Sequence, residues 1–96
     1  MVDFRDDDFE WDLDKEAQNL KTHGVSFHEA REVFEGRYRW LPDELHSDEE
    51  ERCRAIGFSR SGRILTVSYC ERVQRKRIIS SWKSSPHECD AFDEPF

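Results

Sequence analysis

Ninety-six residues form a single domain whose core is sufficient but not generous. No hydrophobic run approaches the roughly 20 residues of a membrane span, and the acidic N-terminus has no signal-peptide pattern, so a cytoplasmic protein is expected. The net charge of −7 argues against nucleic acid only until the charges are placed. Residues 1–51 hold 17 Asp/Glu against 6 Lys/Arg, whereas residues 52–83 hold 9 Lys/Arg and a single acid, Glu71. Such a block either attracts phosphate locally or pairs with the acidic half of the same domain, and charge alone leaves both open.

In chain order, Phe9 and Trp11 lie two apart around Glu10, which predicts a short strand with one buried face. Asp12 then caps a helix over 13–23, with Leu13, Ala17 and Leu20 as a narrow buried stripe. Gly24 has no Cβ to clash and suits the left-handed residue that ends such a helix. "SFHE" at 26–29 has capping-box spacing: Ser26 accepts a helical amide and Glu29 reaches back to the amide of Ser26. Phe27, Ala30, Val33 and Phe34 stripe this second helix, and Gly36 stops it.

From residue 37 the period falls to two, with Tyr38 and Trp40 alternating against Arg37 and Arg39 until Pro42. A solvated acidic loop follows, containing His46. "RCRAIGFS", "RILTVSYC" and "QRKRIISSW" then read as three strands, the first two joined by a hairpin at Gly62. They predict an antiparallel meander that the 37–41 strand extends. Ser85, Pro86 and Glu88 open a short last helix with a second capping box. The expected fold is α+β, in the order β-α-α-β-β-β-β-α, with helices packed on an antiparallel sheet.

Cys53, Cys70 and Cys89 are odd in number and widely spaced, unlike a disulfide framework or a zinc site. Reduced thiols are expected, with no metal and no cofactor. His28 and His87 fall in the first turns of helices and read as surface residues.

Several segments together resemble the BrnT family: "FEWD" at 9–12, "HGVSFHEAREVFE" at 23–35, "HSDEEER" at 46–52, "AIGFSRSGRIL" at 55–65, "ER" at 71–72 and "RIIS" at 77–80. They follow in the family's order and spacing over about residues 9–81 of one domain spanning 1–96. The resemblance implies a RelE-like fold and a ribonuclease toxin of a type II toxin–antitoxin system that inhibits translation. It also implies neutralisation by a BrnA-type antitoxin, through which the complex reaches DNA. The chain departs from the family after "RIIS", where Ala-Arg and then a basic helix with a tyrosine are usual. Here stand Ser81 and Trp82, then Cys89, Asp90 and Phe92. These changes remove positive charge and a phenol, and leave open a decayed toxin that binds its antitoxin without catalysis.

A ribonuclease without a metal needs a base for the 2′-hydroxyl proton, cations for the phosphorane and an acid for the leaving 5′-oxygen. Arginine suits the second task, because its planar fork grips phosphate oxygens and keeps its charge. Arg63 and Arg77 are the leading catalytic candidates, with Glu71 as a base and His23 as an acid–base group. Lys21, Arg72 and Arg75 are candidates for holding RNA, and Trp40 for stacking on a base. For His23, the dipole at a helix C-terminus explains the residue equally well.

Overall fold

The computed structural model describes residues 2–46 and 50–95, excluding the side chain of His46. In chain order the elements are β1 (Asp3–Arg5), β2 (Phe9–Asp12), α1 (Leu13–His23), α2 (Phe27–Ala30), β3 (Tyr38–Pro42), β4 (Arg52–Phe58), β5 (Ile64–Glu71), β6 (Lys76–Lys83) and α3 (Pro86–Asp93). Short 3-10 turns at Arg31–Glu35 and Glu44–His46 continue α2 and follow β3. The six strands make one sheet in the order β1-β2-β6-β5-β4-β3. Much of the expected acidic loop, residues 47–49, lies outside the described residues.

The meander from β3 to β6 is antiparallel, as its hairpin signals predict, and Gly62 turns the β4–β5 hairpin at φ 89°. The expectation of a wholly antiparallel sheet needs correction. β2 joins β6 in parallel through Phe9↔Lys76 and Glu10↔Arg77, so the sheet is mixed. β1 was also not anticipated; it pairs antiparallel with β2 and stacks Phe4 on Trp11, ring centroids 4.2 Å apart.

One face of the sheet carries α1, α2 and the 3-10 turn over a core that includes Trp11, Phe27, Val33, Ala55, Val67 and Ile78. Arg54 and Phe58 alternate with core-facing Cys53 and Ala55 along β4, so they point to the other face. There they meet α3, Arg54 through Glu88 and Phe58 through Phe92. Asp12 caps α1 by accepting the amides of Asp14 and Lys15 (2.8 and 3.1 Å), and Gly24 ends it at φ 69°. Ser85 and Glu88 complete the reciprocal box that opens α3.

Two expectations about burial fail for identifiable reasons. Leu13, Ala17 and Leu20 are exposed, and the buried residue of α1 is Asn19. β2 ends after four residues, and its described register with β6 stops at Arg77. The Asn19 amide then engages the β6 backbone. Its Nδ2 donates to the carbonyls of Ser81 (2.9 Å) and Val25 (2.8 Å), while its Oδ1 accepts from the Ser81 amide and the Ser80 hydroxyl (both 3.1 Å). A side-chain amide thus pairs with Ser81 as a neighbouring strand would. The second failure is the one-sided strand at β2, where all four residues are buried. Glu10 points away from the helices and is kept there by arginines, described below.

Candidate functional site

The hairpin between β5 and β6 turns at Arg72–Arg75, closed by the Arg72 amide donating to the Arg75 carbonyl (2.8 Å). Beside it lies a cleft of about 530 Å³. Its floor is aromatic: Phe34 packs against Phe9, Tyr38 and Tyr69 with centroids 5.0–5.6 Å apart. Cations stand over that floor, Arg31 4.6 Å above the Phe9 ring and Lys76 5.5 Å above the Phe34 ring. Arg72, Arg75 and Glu71 complete the lining, with Asp8 and Glu35 at its edges.

Three predicted site residues therefore share one cleft: Glu71, Arg72 and Arg75. Glu71 is exposed and meets Lys76 Nζ at 2.9 Å. Arg75 donates through Nε to the Asp6 carbonyl (2.6 Å), a neutral partner. Arg72 forks onto Glu50 at 2.7 and 2.9 Å and reaches Glu10 at 3.7 Å. Trp40, half exposed on β3, borders a neighbouring hollow of about 240 Å³ that Glu71 also lines. Cations, a carboxylate and a half-exposed indole thus succeed one another along one side of the molecule.

Arg77 lies next to this cleft but faces the other side of the sheet. It donates to Glu10 (2.7 Å) and Asp3 (3.0 Å), and Glu10 is only 6% exposed. Arg63, Lys21 and His23 are remote. Arg63 precedes β5 and Glu71 ends it, roughly 25 Å away at about 3.3 Å per residue. Arg63 binds the Glu29 carboxylate with both prongs of its fork and donates to the Gly24 carbonyl (3.0 Å). Glu29 therefore turns to Arg63, Ser59 and Ser61 rather than back to Ser26, whose hydroxyl still accepts the Glu29 amide at 3.0 Å. Lys21 is exposed on the last turn of α1. His23 borders a groove of about 300 Å³ between α1 and β6, its ring 6.3 Å from Trp82. Trp82 itself is held by Glu88 (3.1 Å) beneath the Arg54 guanidinium.

Hydrogen bonds from Arg63 hold the Glu29 carboxyl down at about 2. A carboxyl lowered by folding contributes stability above its unfolded value and loses it as pH falls through the folded one. Glu29→Gln is accordingly expected to cost about 1–2 kcal/mol at pH 7. The difference from wild type should shrink as pH falls from 4.5 toward 2, in urea unfolding at several pH values. A difference that stays constant with pH would remove this pair from the stability of the fold.

Most arginines of the basic block are thus matched by acids elsewhere in the chain: Arg54 by Asp43, Arg60 by Glu35, Arg63 by Glu29, Arg72 by Glu50 and Arg77 by Asp3 and Glu10. The cleft gathers Arg75, bonded to a neutral carbonyl, with Arg31 and Lys76, which pair with Asp6 and Glu71, and sequence reasoning missed the last two cations. Lys76 was hidden inside "QRKR", where only strand alternation separates it from Arg75 and Arg77. Arg31 carried no signal, because the 3-10 turn that follows α2 brings it over the sheet. Burial raises the Tyr69 hydroxyl and the Cys70 thiol above their usual ranges, so neither is a ready proton donor or nucleophile. Among the described residues no group of three or more metal-binding side chains occurs, and no helix is long and apolar enough to cross a membrane.

A family model described as the ribonuclease toxin BrnT of type II toxin–antitoxin systems matches residues 11–88. The crystal structure of the Brucella abortus ribonuclease toxin BrnT superposes with a TM-score of 0.63 at 22% identity, covering 78% of this chain and 92% of that one. This likeness concerns the fold. No curated protein matches the chain. With four-fifths of its length inside the family model, the chain belongs to the BrnT family of ribonuclease toxins of type II toxin–antitoxin systems.

Proposed function

We propose that the protein is a metal-independent endoribonuclease of RelE-like type that inhibits translation in the cytoplasm, with the β5–β6 cleft as its catalytic site. The observation that carries this reading is the contact between Glu71 and Lys76 beside Arg31 and Arg75 on an aromatic floor. Glu71 takes the 2′-hydroxyl proton, and the freed oxygen attacks the adjacent phosphorus. Arg31 and Arg75 hold the non-bridging oxygens as charge builds on the phosphorane. Lys76 gives a proton to the departing 5′-oxygen, and the proton on Glu71 returns to Lys76 across their contact. The products are a 2′,3′-cyclic phosphate and a 5′-hydroxyl. Trp40 stacks on a base of the bound strand, beyond Glu71.

The partner is a BrnA-type antitoxin, and DNA is reached only through that complex. A second reading, a toxin that binds its antitoxin but no longer cleaves, draws on Trp82 and Phe92, which are engaged in packing with α3 and β4. Incubation of the purified chain with total RNA in excess EDTA separates the two. Cleavage that persists in EDTA and leaves cyclic-phosphate ends is the expected result, together with growth arrest on expression. An antitoxin complex without any cleavage would give the protein to the second reading.

A further inference from the structure

The cations of the cleft already have an acidic neighbour. The turn between β1 and β2, residues 6–8, lies at the cleft's lip and touches two of their side chains and the backbone of a third. Asp6 Oδ2 pairs with Arg31 at 2.6 Å, the Asp6 carbonyl accepts from Arg75 at 2.6 Å, and the Asp8 carbonyl accepts the Lys76 amide at 2.9 Å. The Asp8 side chain is exposed and lines the cleft. The turn is rigidly made, since Asp6 Oδ1 accepts the amides of Asp8 (2.9 Å) and Phe9 (2.8 Å). It is anchored from behind by Phe4, stacked on Trp11 and edge-on to His28. Residues 6–8 also precede the span matched by the family model.

We propose that the Asp6–Asp8 turn is a built-in acidic competitor of RNA: its carboxylates occupy or shield the place a phosphate takes between Arg31, Arg75 and Lys76. RNA must displace Asp6 from Arg31 and approach Asp8 against its charge, so the turn sets how much RNA the cleft captures. This inference rests on the cleft being the RNA site.

The test is fluorescence anisotropy of a labelled single-stranded RNA, titrated with the full chain over a range of salt. In the double variant Asp6→Asn, Asp8→Asn the Asn Oδ1 still accepts the two turn amides, so the backbone is kept while both charges go. Binding should tighten about fivefold. Freeing Arg31 for one more phosphate contact should steepen the log–log salt slope by about 0.7. The control Asp14→Asn, Glu44→Gln removes the same charge from exposed positions elsewhere and should give less than half of that gain. Equal tightening in control and test variants would reduce the effect to net charge and overturn the proposal. Weaker binding in the test variant would mean that Asp6 positions Arg31 instead, and would overturn it too. If Arg75→Ala leaves wild-type RNA affinity intact, the cleft is not the RNA site and the earlier reading fails as well. An Arg75-dependent affinity that ignores the Asp6 and Asp8 changes sinks the competitor alone.

Discussion

Replacing Glu71 by Gln should slow RNA cleavage by about 10²–10⁴-fold, the range a positioned general base contributes, while RNA binding is retained or tightens. The asymmetry follows from where Glu71 stands. It is the acid that faces Lys76 in a cleft that Arg31, Arg72 and Arg75 also line, so losing its charge removes a proton acceptor and a source of phosphate repulsion together. Single-turnover cleavage measured beside anisotropy on the same RNA separates the two effects. A Gln variant that cleaves at the wild-type rate takes Glu71 out of the chemistry. Parallel losses in rate and affinity make it a structural partner of Lys76. Arg63→Ala should behave differently, reducing stability rather than rate, because its fork is spent on Glu29 and the Gly24 carbonyl.

The second large effect concerns Arg77, which resembles a phosphate ligand in sequence and sits in an ion-pair network in the structure. Its side chain is 15% exposed and its main partner, Glu10, only 6%. Arg77→Ala leaves that carboxylate buried with Arg72 at 3.7 Å and Arg5 at 3.9 Å as distant compensation. Breaking a buried pair on one side typically costs 3–5 kcal/mol, and with this residual support a loss of about 3 kcal/mol is expected in urea unfolding. Adding Glu10→Gln to Arg77→Ala should recover a substantial part, since the stranded charge goes with it. If Arg77→Ala keeps full stability but loses cleavage, Arg77 belongs to the substrate and not to the fold.

What could be read from the sequence was mostly local. Asp12, Gly24, Ser85 and Gly62 announced helix starts, a helix end and a hairpin, because each acts on backbone groups within a few residues. The alternation in 52–82 likewise gave the meander, whose pairings are between neighbours in the chain. The parallel pairing of β2 with β6 has no such mark, since its partners lie 67 residues apart. Asn19 shows the same limit from the other side. Its spacing on α1 says only that it shares no stripe with Leu13, Ala17 and Leu20, and nothing local says that a strand would need its amide. Glu71, Arg72 and Arg75 were found together because one hairpin turn holds them. Arg31 was missed because the fold, not the chain, brings it to the cleft.

The parallel pair has a consequence for when the cleft can form. Phe9 and Glu10 can pair with β6 only after Lys76 and Arg77 exist, so closing that contact spans most of the chain. The lip of the cleft, its aromatic floor and its cations come from residues 8–9, 31–38 and 71–76. A chain still emerging from the ribosome holds the acidic first half without the basic strands that complete the cleft. A nascent chain shorter than this therefore lacks the cleft proposed as the catalytic site.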